Sequence, residues 1–538
     1  MEIKGKLVDP IKRNIFNAII RIKEKRINEI IKTEENFDHY LIPGFVNSHF
    51  HIESSMLTPA EYAKTAVKHG TVATLADPHE IANVLGVGGI NVFIENSRTI
   101  PLKIYYGAPP CVPASPFETS GAVLDSSKIE KLLSRNEITH LGEMMNFPGV
   151  INKDPEVLKK IKLAKKYNKP VDGHAPGIRG ESLTKYIKSG ISTDHETLTY
   201  EEGKEKIQKG MLLSIREGSA AKNFDVLSPL ISQFPDKCML CTDDLHPDDL
   251  INGEINNLFL RALKKGINIF DIIQAASVNP TRHYNLNVGL LQKGDSADLL
   301  VINNFHDLKI LKTYINGKLV CKDEKHLFNI PSMQKINNFH TVSNSLNDYQ
   351  IKSNNPFPII LAKDRQLITQ KKDDNLPQKK GLLTTDIDND ILKIAVQNRY
   401  KPQKPALGFI KNFGLKNGVI ASTVAHDSHN LIAVATSDAY LKKGIDLLIE
   451  SKGGILFHND RETKILQLPI AGLLTNQSID KVVQKYTSLN RLCRKYGITL
   501  QAPFMTLSFM ALTVIPEIKL SDRGLFNSKD FRFIKINR

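Results

Sequence analysis

The sequence predicts an α/β chain built around a (β/α)8 barrel, with a small β-sandwich domain formed from both flanks of the barrel and an additional C-terminal α/β domain. Three observations carry this expectation. Eight short apolar stretches in residues 43–284 alternate with segments of helical periodicity, the pattern of a parallel sheet wrapped by helices. The polar residues with chemical potential sit at one end of those stretches, and a barrel of this kind carries its active site at the C-terminal ends of its strands. On either side of this region, residues 1–42 and 285–345 read instead as alternating apolar and charged strands with turn glycines, too few on either flank to bury a core alone.

Size and composition agree with a multidomain soluble protein. A chain of 538 residues has room for roughly three domains, and its 41% hydrophobic and 24% charged residues are ordinary for a globular fold. No apolar run approaches the roughly 20 residues needed to span a bilayer, and Met1–Lys6 offers no apolar signal core. The expected setting is the cytoplasm, without a membrane partner. Five cysteines in so long a chain argue against a disulfide framework. Cys238 and Cys241 form a C-x-x-C, but in an apolar strand residues three apart face opposite ways, so the pair reads as buried structure. The net charge of +15 comes from lysines spread along the chain without aromatic interleaving, which reads as a solvated surface with no nucleic-acid partner.

The eight candidate strands are 45–49, 71–77, 103–107, 139–144, 170–174, 190–194, 211–216 and 239–243, with helices expected between them over 154–167 and 180–189. Strand one opens through Pro43-Gly44 and ends in His49-Phe50-His51, whose alternation turns both imidazoles to one face. Strand four ends in Glu143, strand five in His174, strand six in His195 and strand eight in Asp243. These ends recur at intervals of one to three βα units, so all six side chains converge on one barrel mouth. Four imidazoles and two carboxylates there suit two divalent cations with mixed nitrogen and oxygen ligands, one carboxylate bridging.

Beyond the barrel, residues 346–405 are rich in Asn, Lys, Asp and Pro and read as a connecting region. Residues 406–538 resume an α/β pattern. Two apolar runs, 418–425 and 431–436, flank the polar tip His426-Asp427-Ser428-His429-Asn430 as in a hairpin, and a helix is expected over 438–451. His426 and His429 read as hydrogen-bonded turn residues, with a second metal site or a place facing the first as alternatives.

The opening Pro-Gly-Phe-x-Asn-x-His-x-His, the ordered Glu, His, His and Asp, and Gly294-Asp295-Ser296-Ala297-Asp298-Leu299 resemble the amidohydrolase superfamily. More narrowly, residues 77–86, Gly142-Glu143-Met144-Met145-Asn146, Asp172-Gly173-His174-Ala175-Pro176-Gly177, Asp194-His195-Glu196, residues 216–223, Cys241-Thr242-Asp243-Asp244, the hairpin tip and Met505-Thr506-Leu507-Ser508-Phe509 are similar to the bacterial adenine deaminase branch over nearly the whole chain. The resemblance implies a metal-dependent hydrolase barrel that converts adenine to hypoxanthine and ammonia in purine salvage. It also implies a dinuclear iron, manganese or zinc centre, and Glu143 where many amidohydrolases carry a modified lysine. One departure is Leu245, where an arginine is expected.

The expected chemistry is attack of a hydroxide, made available at neutral pH by the metal pair, on C6 of adenine while N1 gains a proton. His49 and His51 are expected on one ion, His174 and His195 on the other, Glu143 between them, and Asp243 completing the first and taking the proton of the nucleophile. Glu217, at the end of strand seven, is the expected proton donor to N1, with Glu80 and His79 next. Asp244, Arg216 and Ser219 are expected to bind the substrate. The competing readings are a dinuclear cyclic amidohydrolase of the dihydropyrimidinase or hydantoinase type and a non-catalytic purine-binding barrel. The oligomeric state stays open, with a homodimer or higher homo-oligomer compatible.

Overall fold

The barrel closes through eight parallel strands: β1 (Phe45–Phe50), β2 (Thr71–Ala76), β3 (Lys103–Ala108), β4 (Ile138–Met144), β5 (Val171–Gly173), β6 (Thr193–Asp194), β7 (Leu212–Arg216) and β8 (Cys238–Cys241). This computed structural model describes residues 1–364 and 366–536; Arg365, within the expected connecting region, and residues 537–538, at the end of the expected C-terminal domain, lie outside the described residues. β1 to β5 and β6 to β8 pair in two runs. The runs are joined by Ser192 N–H donating to Val171 O at 3.0 Å, and closed by Asp243 N–H donating to His49 O at 3.0 Å. β1 and β2 are buried along their whole length, as expected of strands covered on both faces.

Local chemistry sets the helices between the strands. Pro155–Lys166 starts where the Asp154 side chain accepts from the N–H groups of Glu156 and Val157, with Pro155 at its first position. It ends in Lys165 and Lys166, placed favourably against the helix dipole. Its buried residues Val157, Ile161 and Ala164 form the stripe that packs on the barrel. Cys238 and Cys241 are buried free thiols within β8.

The two flanks meet in one eight-stranded sheet. Tyr40–Pro43 pairs parallel with Glu2–Asp9 on one side and antiparallel with Leu299–Ile302 on the other. The hairpin tip at Lys25–Ile27 bonds back to residues 294–297, curling the sheet around a core of its own that includes Leu7, Ile20, Leu41, Leu299 and Val301.

A second eight-stranded sheet forms the C-terminal unit, and it corrects the expectation of a plain connecting region at 346–405. Phe357–Leu361, Gln370–Asp374 and Ile391–Gln397 all belong to it. Gln370–Asp374, with its sequence QKKDD, is the edge strand, where charged side chains face water and discourage further pairing. Its composition therefore imitates a linker. Val419–Ser422 and Leu431–Ala435 pair antiparallel as the expected hairpin, and the helix Asp438–Ser451, capped by Ser437, packs against both.

Candidate metal centre

The strand ends bring the six expected ligands together. His49 Nε2 and His51 Nε2 lie 3.1 Å apart. Asp243 Oδ1 stands 3.5 Å from the first and 3.1 Å from the second. Glu143 reaches both halves of the group: Oε1 is 3.3 Å from His51 Nε2, while Oε2 is 2.5 Å from His174 Nδ1 and 3.2 Å from His195 Nε2. His49 and His195 stack with ring centroids 4.1 Å apart. All six residues are buried.

Backbone geometry fixes these positions. Glu143 is set by its N–H donating to Asp77 Oδ2 at 2.7 Å, a close approach that a side chain at residue 142 would block, because a Cβ on Gly142 would lie 2.2 Å from the same oxygen. Asp243 adopts φ 55°, the left-handed region that short polar side chains tolerate, as the chain turns out of β8. His195 follows β6, whose Asp194 is held by the fully buried Lys206 ammonium at 2.9 Å.

The electrostatics match a cation-binding floor. Burial pushes the Glu143 carboxyl up, but His174 and hydrogen bonds from His195 and His51 hold it well below the carboxylate range. Asp243 is likewise held down, chiefly by Arg216 against the cost of burial. Burial lowers the His174 imidazole, yet Glu196 and Glu143 bring it up to about 9. Imidazole nitrogens 3.1 Å apart that both face shared carboxylates make an inefficient hydrogen-bond network. They make a suitable donor set for divalent ions, with the separations around His49 and His51 near the roughly 3.4 Å expected between ligands of one tetrahedral centre. Buried triads of suitable donor atoms recur through the group, among them His49, His195 and Asp243, and Glu143, His174 and His195.

The other expected site residues divide into two sets. His79 joins the floor, its Nδ1 3.4 Å from Glu143 Oε1. Glu80 lies beside it, accepting from Ser54 Oγ at 3.2 Å, and Asp244 accepts from the same hydroxyl at 2.5 Å while lining the cavity. Arg216 is buried between two carboxylates, bonded to Asp243 and, through both terminal nitrogens, to Glu196. Glu217 is not brought in: it pairs with Arg261 at 2.7 Å and lines a separate surface cleft. Neighbouring strand residues point oppositely, so Arg216 facing the mouth sends Glu217 outward. Ser219 also stands outside, bonded to Asp249 and accepting from His246 N–H at 2.9 Å. Leu245, in the place of the expected arginine, is buried along that same outer cleft.

Two features escaped the sequence reading. Glu196 is buried against the floor, 3.8 Å from His174 Nδ1. The second is the roof apart from His426, for which a place facing the first site is one of the expected alternatives: Leu367, His426, Asp427, Phe509, Leu512 and Ile515, all from the C-terminal unit, cover the mouth and leave a cavity of ≈ 20 Å³ above the ligands. His426 stacks on Phe509 at 4.4 Å, and Asp427 Oδ1 lies 3.8 Å from His79 Nε2. Phe509 belongs to a motif the sequence singled out, but nothing in the motif says that it reaches the barrel mouth.

The chain matches the model of the amidohydrolase family over residues 40–320 and that of the adenine deaminase C-terminal domain over residues 366–532. It is 50% identical to a protein from Sulfurovum sp. named adenine deaminase, over 99% of both chains. It is 45% identical to one of the same name from Methanosarcina barkeri, covering 99% of this chain and 98% of that one. A third, from Borreliella burgdorferi, is 46% identical over 99% of both. With its barrel and its C-terminal unit both matched, the chain belongs to the amidohydrolase family, in the adenine deaminase branch.

Proposed function

We propose that the chain hydrolyses adenine to hypoxanthine and ammonia, as a cytoplasmic enzyme of purine salvage that acts on a small molecule and needs neither nucleic acid nor membrane. The observation that carries this reading is the meeting of the strand-end ligand set with a roof from the adenine deaminase C-terminal domain over one cavity.

The residues present fit two divalent cations, for which we propose manganese or iron, with zinc also accommodated. His49, His51 and Asp243 would hold one, His174 and His195 the other, and Glu143 both. Such a pair lowers the pKa of bound water and so supplies a nucleophile at neutral pH. The remaining work falls to the protein. Asp243 takes one proton from the attacking water and passes it to the exocyclic amine, which leaves as ammonia. The second proton of that water must reach N1 as C6 becomes tetrahedral. Glu196 replaces Glu217 as the carrier of this proton, since it faces the floor where Glu217 does not, with His79, 3.4 Å from Glu143, as a further member of the relay. Arg216 acts by positioning, fixing Glu196 and Asp243 through a buried fork of hydrogen bonds. Asp244 and Asp427 face the cavity as acceptors for purine N–H groups, under the apolar cover of Phe509, Leu512 and Ile515.

The cavity between floor and roof is small, ≈ 20 Å³, so adenine is gripped between the metal ligands and the apolar side chains above them. The test is substrate choice by manganese-loaded protein. Conversion of adenine with one ammonia per hypoxanthine is expected; ring opening of dihydrouracil or hydantoin without action on adenine would overturn the reading in favour of a cyclic amidase.

A further inference from the structure

Above the floor, at the contact between barrel and hairpin tip, three buried side chains converge without satisfying one another. Glu80, at the start of the helix His79–Leu85, points its carboxylate at His426 and His429 of the tip. His426 Nδ1 lies 3.5 Å from Glu80 Oε1, and His429 Nε2 lies 3.7 Å from Glu80 Oε2. Both separations are too long for good hydrogen bonds. Glu80 Oε2 and His429 Nε2 have no hydrogen-bond partner among the described residues, although Glu80 and His429 are both 0% exposed. A buried carboxylate normally has its oxygens paired, because the desolvation cost is otherwise several kcal/mol.

The separations are close to those around His49 and His51 in the floor, where imidazole nitrogens and carboxylate oxygens stand 3.1–3.5 Å apart. Two ligands at about 2.1 Å from one tetrahedral ion lie roughly 3.4 Å from each other. The three donor atoms fall within 4.8 Å of one another, and two histidines with one glutamate form a donor set typical of zinc and related divalent ions.

We propose that Glu80, His426 and His429 form a third divalent-cation site, beside the floor, which clamps the hairpin tip of the roof to the barrel. Ligands come from both units: Glu80 from the loop side of β2, the two histidines from the tip. The tip is braced independently, with Arg399 donating to His429 O at 3.0 Å and Ser428 to Glu118 Oε2 at 2.6 Å. His429 Nδ1 accepts from Ala425 N–H at 3.3 Å, a long contact. Binding through Nε2 moves the ring proton to Nδ1 and gives that contact up.

The test is metal content of the full chain, purified without chelator and dialysed against Zn2+ or Mn2+, together with anomalous diffraction at the zinc edge. Three equivalents per chain are expected, with a third anomalous peak among Glu80, His426 and His429. His429→Gln and Glu80→Gln should each bind two equivalents and keep both floor peaks. Two equivalents in the wild type with no third peak would overturn the proposal, leaving His429 Nε2–H facing Glu80 without a cation. The wild-type diffraction decides the matter even if a variant fails to fold. The result is distinct from that of the adenine assay, since the clamp can bind metal whatever the floor hydrolyses.

Discussion

The floor and the roof of the cavity are built in contrasting ways. The floor takes its ligands from the ends of five different barrel strands, so each is held by a sheet that a single residue cannot distort. The roof takes its residues from a hairpin tip, a short helix and loops of one C-terminal unit, touching the barrel through Glu80, Glu118 and Thr119. The floor places charge to within fractions of an ångström, and the roof supplies the surface that a purine ring meets. In this account the floor sets the rate and the roof sets admission and ring recognition.

That division is open to attack from both sides. The largest effect is expected at the floor: Glu196→Gln should lower kcat about 10²–10⁴-fold with circular dichroism unchanged, while Glu217→Gln should stay near wild type because its partner is Arg261. The reverse result would restore Glu217 as the proton carrier. Arg216→Met removes the cation from two buried carboxylates and should cost about 3–5 kcal/mol in urea unfolding; an unchanged midpoint would mean that the fork is not a positioning element. At the roof, Phe509→Ala should raise KM for adenine roughly tenfold while changing kcat little, read by steady-state kinetics.

A further effect, on stability alone, concerns the joint between the two regions. Burial brings the Glu118 carboxyl up to about 7, above its ordinary 4.5. In the folded chain it holds a proton through the window from about pH 4.5 to 7, whereas the unfolded chain has lost it. Stability from this group is therefore full below that window and falls as pH rises through it, by at most about 3 kcal/mol. Glu118→Gln should flatten the decline in Tm between about pH 5 and 8.

The floor was largely legible in the sequence because a barrel converts regular spacing into common direction. His49, His51, Glu143, His174, His195 and Asp243 are all strand ends, and one periodicity places them together. The same reasoning failed at Glu217, where strand alternation through Arg216 turns the next side chain outward. It failed in the opposite sense at Glu196: β6 is only Thr193–Asp194 long, so the chain has left the strand before residue 195 and alternation no longer applies. The roof was illegible for a different reason. Leu367, Phe509 and Ile515 reach the cavity through the packing of two units, and no local pattern encodes that contact. The edge strand Gln370–Asp374 was hidden by composition, since charged side chains suit both a linker and a sheet margin.

The most direct measurement is ammonia release from adenine by manganese-loaded protein, before and after removal of metal by chelation, alongside Asp243→Asn. Stoichiometric ammonia and hypoxanthine are expected from the loaded wild type, with loss on chelation, recovery on adding Mn2+, and a loss of at least about 10³-fold in Asp243→Asn. Undiminished ammonia release from chelated protein or from the Asp243 variant would contradict it.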